Sequence, residues 1–299
     1  MKAKIIQGCM RIGNMSDDEL YELIRTDIAN GIDYFDHADF YGGDGLCEKR
    51  FGHVLELHPE LRTKMILQTK CGIVIDPEGT YYDSSKKHIL ESVDKSLKNL
   101  HTSYLDYLLI HRPDALMDLS EISAALNELY TTGKVIHFGV SNFNKQQIQY
   151  LSQGISYIVE VNQLQFSLCH TQLIDGEFLT NTMFDDAKYA DNELMYYCKA
   201  KGIYVQAWSP FQYGVIEGTF MNSPKYPELN KELKILADKY NCTKNAIAVA
   251  WILNYSPNMQ VISGSTNLKR MNDIAKATEI TLTKKEWYKL YSSAGHVLP

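Results

Sequence analysis

Ile32-Asp33-Tyr34-Phe35-Asp36 runs straight on into His37-Ala38-Asp39-Phe40-Tyr41-Gly42: a short apolar run that ends on a carboxylate and enters a loop carrying a phenol. A run of this length bounded by turn residues reads as a buried strand. Two further runs have the same form. Met65-Ile66-Leu67-Gln68-Thr69-Lys70 closes on an ammonium, and Leu105-Asp106-Tyr107-Leu108-Leu109-Ile110-His111 closes on an imidazole. If the three strands are parallel neighbours, about 5 Å apart, their C-terminal ends bring Asp36, Tyr41, Lys70 and His111 together. A carboxylate, a phenol, an ammonium and an imidazole in one cleft suit proton transfer to a polarised carbonyl.

Outward from these runs, short apolar stretches alternate with amphipathic ones along the whole chain. Strands are expected near 4–9, 33–36, 65–70, 105–111, 135–140, 156–161, 203–208 and 260–263. Helices are expected near 17–30, 46–57, 85–100, 119–132, 145–152, 190–201, 230–240 with 245–254, and 267–277. Local chemistry supports several of them. Ser16-Asp17-Asp18-Glu19 is a capping box, Gly31 and Gly202 stand where helices end on glycine, and Ile89, Val93, Leu97 and Leu100 form one stripe at helical spacing. Thr283-Lys284-Lys285-Glu286 is a second capping box and starts an extra C-terminal helix. Eight strand–helix units without a linker predict an α/β fold, a (β/α)8 barrel formed as one domain over residues 1–299. Long loops at 71–84, 162–189 and 209–229 would then lie on the face where barrels place their chemistry.

The bulk numbers set the function classes aside one by one. Length alone suggests about two domains, and a barrel is the common exception. A net charge of -6 and a pI near 5.9 argue against a nucleic-acid or anionic-membrane partner. Six scattered cysteines without a CxxC pair read as free thiols in a reducing cytoplasm. The N-terminal residues form no signal-peptide core, and no apolar run approaches the ~18 residues that span a bilayer. Strand ends carrying HxH or similar clustered ligands would suggest a metal-dependent hydrolase, and none appears.

Asp33 to Gly42, Lys70, and Leu108-Leu109-Ile110-His111-Arg112-Pro113 together resemble the aldo-keto reductase superfamily, and the likeness is closest to its bacterial-type oxidoreductases. Further stretches extend it: Gly133 to Phe143, Glu160-Val161-Asn162-Gln163, Ala207-Trp208-Ser209-Pro210, and Ile262-Ser263-Gly264-Ser265-Thr266 with Arg270. The resemblance implies a (β/α)8 barrel, a tetrad at Asp36, Tyr41, Lys70 and His111, and NADPH-dependent reduction of a small-molecule aldehyde or ketone in the cytoplasm. The chemistry agrees with it. Hydride addition leaves an alkoxide that needs a proton as charge develops. Lys70 beside Tyr41 is expected to lower the phenol pKa, Asp36 to hold Lys70, and His111 to orient the carbonyl oxygen. His37, Asp39 and Arg112 are expected to be structural.

The same resemblance assigns the cofactor NADPH/NADP+ to named positions. Ser141, Asn142 and Gln163 would bond the nicotinamide carboxamide, and Trp208 would stack on its ring. Ser209 and Gln212 would contact the pyrophosphate. Gly264, Ser265 and Thr266 precede a helix, where backbone N–H groups suit a phosphate, and Arg270 one turn on suits a 2′-phosphate. Gly43-Asp44-Gly45 begins a partial GxGxxG, but Glu48 breaks it. Three departures from the family pattern stand out. The first strand starts almost at Met1, so the N-terminal hairpin is expected to be reduced or absent; the tail after about residue 291 is short; and Asp273-Ile274 replaces the usual Glu-Asn pair after the arginine. Two rivals share these residues: a Schiff-base aldolase using Lys70, and a cofactor-sensing subunit with little turnover. The sequence does not specify oligomeric state.

Overall fold

The structure is a computed structural model and describes residues 4–188 and 193–299. The chain opens with β1 (Ile5–Gly8), α1 (Asp17–Ala29), β2 (Tyr34–Asp36), α2 (Leu46–Leu57) and β3 (Ile66–Cys71). There follow β4 (Ile73–Asp76), β5 (Gly79–Tyr82), α3 (Lys86–Asn99), β6 (Leu105–Ile110), α4 (Leu119–Thr131), β7 (Val135–Ser141), α5 (Lys145–Leu151) and β8 (Val159–Gln165). Next come α6 (Gln172–Leu179), α7 (Leu194–Lys201), β9 (Tyr204–Trp208), β10 (Gln212–Tyr213) and β11 (Gly218–Thr219). The chain finishes with α8 (Pro227–Lys239), α9 (Lys244–Leu253), β12 (Met259–Ser263), α10 (Leu268–Ala275) and α11 (Lys284–Ser293). Eight strands form one closed barrel in the order β1-β12-β9-β8-β7-β6-β3-β2. The expected (β/α)8 fold is therefore the observed one, with α11 as the extra C-terminal helix.

Local signals act where the sequence places them. The side chain of Ser16 accepts from the Glu19 amide, and Glu19 reaches back to close the box at the start of α1. Thr283 and Glu286 do the same for α11. Each satisfies two backbone donors that a helix start leaves open.

Two compact units divide the chain. One comprises Ile6–Gln163 with Gly264–Leu268. Its core takes Leu20, Leu23 and Ile24 from α1, Phe51 and Val54 from α2, and Ile89 and Val93 from α3, all buried. Each such side chain contributes about 1.5–3 kcal/mol when removed from water. The other comprises the chain start to Ile5, Leu164–Ser263 and Lys269–Pro299. There Trp251 of α9 and Trp287 of α11 stack at 4.8 Å, and each indole N–H donates to the other's backbone carbonyl, at 3.1 and 2.9 Å. Two large rings thus enter the core with both polar tips satisfied.

Several expectations need correction. The sixth barrel strand, expected at 156–161, is β8 at Val159–Gln165, so Asn162 and Gln163 lie within it. The polar residues Asn162, Gln163 and Gln165 disguise a strand whose side chains are nonetheless buried. None of the three long loops is plain loop: the first holds the antiparallel pair β4–β5, the second contains the end of β8 and all of α6, and the third holds β10–β11. The helix expected over 190–201 is seen as α7 from Leu194, and 190–192 fall outside the described residues.

Candidate active site

Strand register brings the tetrad together within the first unit. β2 and β3 run parallel with Asp36 opposite Gln68, and β3 and β6 run parallel with Lys70 opposite Leu109. Side chains two apart on a strand share a face, so Gln68 and Lys70 point the same way, toward Asp36. His111 follows β6 and is anchored by its amide on the Cys71 carbonyl at 2.8 Å. Tyr41 sits in the turn after β2, its amide on the Ala38 carbonyl and its carbonyl accepting from Cys47 at the start of α2.

The four groups meet. Lys70 Nζ lies 2.8 Å from both carboxylate oxygens of Asp36. It also donates to the His37 carbonyl at 2.6 Å and to the Tyr41 hydroxyl at 3.4 Å. Lys70 is wholly buried and Asp36 nearly so. The Tyr41 and His111 rings stand edge-on at 6.1 Å, and Phe40 stacks on His111 at 5.4 Å. His111 Nδ1 is buried without a hydrogen-bond partner.

Each ionisation state has a physical cause. Burial pulls the Lys70 ammonium down most strongly, but Asp36 and Tyr41 together outweigh it, so its pKa is raised and it stays charged. Burial, then Lys70 and Arg112, hold His111 well below the usual histidine range, so it is neutral. His37, wholly buried against Phe51 at 4.6 Å, is pushed down to about 3 by burial and by Lys70. Tyr41 departs from expectation. Lys70 does lower its pKa, but burial acts more strongly in the other direction and Asp36 adds to it, so the net shift is upward.

The residues expected at the nicotinamide divide between the two units. Ser141 ends β7 opposite Gln163, and its hydroxyl donates to the Gln163 carbonyl at 2.9 Å. Asn142 has a left-handed backbone, φ 61°, a region Asn enters more readily than most residues. Its side-chain amide lies 2.8 Å from Ser141 Oγ and 3.4 Å from the His111 carbonyl. Gln163 Nε2 donates to Asp36 Oδ1 at 3.1 Å. Gly264, Ser265 and Thr266 lie in the same unit and precede α10, the Ser265 carbonyl taking a bond from Gln7 at 3.2 Å and its hydroxyl one from the Asn267 amide.

In the other unit, Trp208 ends β9 half-buried. Ser209 follows it with φ 52°, and Gln212 begins β10 with its amide on the Ser209 carbonyl. Arg270 is exposed on α10.

Sequence reasoning missed Gln68 and Tyr34, which hold Asp36, and the structural role of Glu48. Gln68 donates to Asp36 Oδ1, and the Tyr34 hydroxyl donates to Gln68 Oε1 at 2.7 Å. Glu48 is buried in α2 and accepts from Thr69 at 2.6 Å and Asn99 at 3.3 Å. Asp39 is half-buried near it, and burial and then the Glu48 charge raise it to about 7. The available signal was a glutamine inside an apolar strand, two residues before Lys70. Among the described residues no group of His, Cys, Asp and Glu could hold a metal, all six cysteines are free, and no helix is long and apolar enough to cross a membrane.

Comparison with known proteins bears on this geometry. The model of the Aldo/keto reductase family matches residues 4–294. The uncharacterized oxidoreductase YcsN of Bacillus subtilis is 34% identical over 99% of this chain and 96% of its own length. A 6-dehydroglucose reductase of Agrobacterium fabrum is 32% identical over 98% and 94%. The crystal structure of an aldo/keto reductase from Klebsiella pneumoniae in complex with NADP and acetate superposes with a TM-score of 0.74 at 22% identity, covering 96% of this chain and 89% of that one.

Proposed function

The chain belongs to the aldo/keto reductase family and is an NAD(P)H-dependent oxidoreductase; from that premise we propose that it uses NADPH to reduce an aldehyde or ketone to an alcohol, with Tyr41 as the general acid. The observation that carries this reading is the Lys70 ammonium, held by Asp36 and in contact with the Tyr41 hydroxyl. Bound NADPH supplies the hydride, and the protein's part is to position the carbonyl and deliver a proton.

The residues fit such a cofactor. Ser141, Asn142 and Gln163 offer hydroxyl and amide groups suited to a carboxamide, and Gly264-Ser265-Thr266 precede a helix start suited to a phosphate. Trp208 supplies a flat ring surface, Ser209 and Gln212 polar groups for a pyrophosphate, and Arg270 a guanidinium for a 2′-phosphate. His111, neutral and with Nδ1 unpartnered, presents an uncharged imidazole to the carbonyl oxygen. Tyr41 is fully protonated at neutral pH, as an acid must be. Lys70 then offsets the phenolate charge as the proton leaves. The same ammonium disfavours the aldolase reading, since a lysine kept charged by a carboxylate is a poor nucleophile.

A small aldehyde or ketone is the substrate class; the Agrobacterium relative, named a 6-dehydroglucose reductase, adds sugar carbonyls to the set worth assaying. The test is loss of NADPH absorbance with a panel of aromatic aldehydes, dicarbonyls and oxidised sugars that include 6-dehydroglucose. Turnover with at least one of them is expected. Tight NADPH binding with no turnover across the panel would overturn the enzyme reading in favour of a cofactor sensor.

A further inference from the structure

Asp36 is held from two sides. Lys70 reaches both of its oxygens, while Oδ1 also accepts from Gln68 Nε2 and from Gln163 Nε2. All four residues are buried. The direction of these bonds follows from charge. A carboxylate paired with an ammonium only accepts, so Gln68 must turn its NH2 toward Asp36. Its carbonyl oxygen then faces Tyr34, whose hydroxyl donates at 2.7 Å. Tyr34 is itself wholly buried and packs on Tyr107 at 5.6 Å. A directed chain therefore runs Tyr34 to Gln68 to Asp36, and Asp36 holds Lys70, which touches Tyr41.

Building on the proposed role of Tyr41, we infer that Gln68 is a positioning residue of the tetrad: its amide, aimed by Tyr34, fixes the Asp36 carboxylate and through it holds the Lys70 ammonium against the Tyr41 hydroxyl. Gln68 touches no reacting atom. Its side chain lies two residues from Lys70 on the same face of β3, and the Asp36–Gln68 register makes its reach to Asp36 a consequence of the sheet.

Loss of this amide acts on Tyr41 in one direction by two routes. The 3.4 Å contact from Lys70 is already at the long limit for a hydrogen bond, so any retreat of Lys70 weakens a charge that favours the phenolate. Asp36 also loses a donor that disperses its negative charge, so its field at the phenol grows. Both make Tyr41 a weaker acid.

The test is the pH profile of NADP+-dependent oxidation of benzyl alcohol, where the rate rises as Tyr41 becomes a base. Wild type, Gln68→Met and Tyr34→Phe are compared, with NADP+ affinity read from tryptophan fluorescence. The limb should move up by about half a pH unit or more in Gln68→Met, about a threefold change in acid constant. It should move less in Tyr34→Phe, with NADP+ affinity within about twofold of wild type in both. Tyr34→Phe keeps the ring and its packing, so the inference stays falsifiable if Gln68→Met fails to fold. A lowered rate with an unmoved limb would overturn the positioning role and leave Tyr41 as the acid. A limb that persists in Tyr41→Phe would overturn the Tyr41 assignment itself, and this inference with it.

Discussion

Replacing Asp27 by Asn should stabilise this protein at neutral pH. Asp27 sits in α1 with its side chain fully buried, and neither carboxyl oxygen has a hydrogen-bond partner. Burial pushes its pKa from 3.8 to about 8, so the native state holds a proton there that the unfolded chain releases. Between those two values the folded state binds more protons, and stability falls as pH rises. Below pH 3.8 this residue has no such cost, and above about 8 the cost is constant. At pH 7 the difference spans roughly three pH units at about 1.4 kcal/mol each, a ceiling of about 4 kcal/mol. Asn has nearly the same shape and never ionises, so it is free of this cost. The assay is urea unfolding followed by tryptophan fluorescence at several pH values. The gap between variant and wild type should be about 1 kcal/mol at pH 4.5, should widen steadily toward pH 8, and should then level off. A gap independent of pH, or one favouring wild type at pH 7, would refute the assignment of a buried neutral acid.

Two substitutions probe other parts of the account. Gly52→Ala in α2 would place a methyl 1.9 Å from the Asn99 carbonyl oxygen, against backbone that cannot swing away; a loss of about 3 kcal/mol or more is expected, read as a lower urea midpoint, and an unchanged midpoint would show that α2 and α3 do not pack this closely. Arg270→Ala should weaken NADPH binding about ten- to a hundredfold, the range for a charge-assisted hydrogen bond, and leave NADH nearly unaffected. Equal losses in fluorescence titrations with the two cofactors would remove the 2′-phosphate role.

The barrel was legible because its signals are local and its period is strong. Asp36, Lys70 and His111 end apolar runs, and the observed registers bring those ends together. The boxes at Ser16 and Thr283 cap helices where expected. What escaped depends on contacts between segments distant in sequence. β8 extends through Asn162 and Gln163 because those polar side chains are buried in the fold, and alternation rules score such residues as loop. The β4–β5 pair is exposed over most of its length, and its Ile73-Val74-Ile75 run shows no apolar–polar alternation to announce it. The acidity of Tyr41 could not be judged from its proximity to a lysine, since the opposing effect is the desolvation that the whole fold imposes. Gln68 looked like an ordinary polar interruption until Tyr34 and Asp36 were seen on either side of it.

Proton delivery by one tyrosine is the claim that everything functional depends on. The most direct check is NADPH consumption by Tyr41→Phe with a carbonyl that the wild type reduces, alongside NADPH affinity by tryptophan fluorescence. The account predicts a fall in turnover of at least about a hundredfold with affinity essentially unchanged. Turnover that survives at wild-type levels would contradict it.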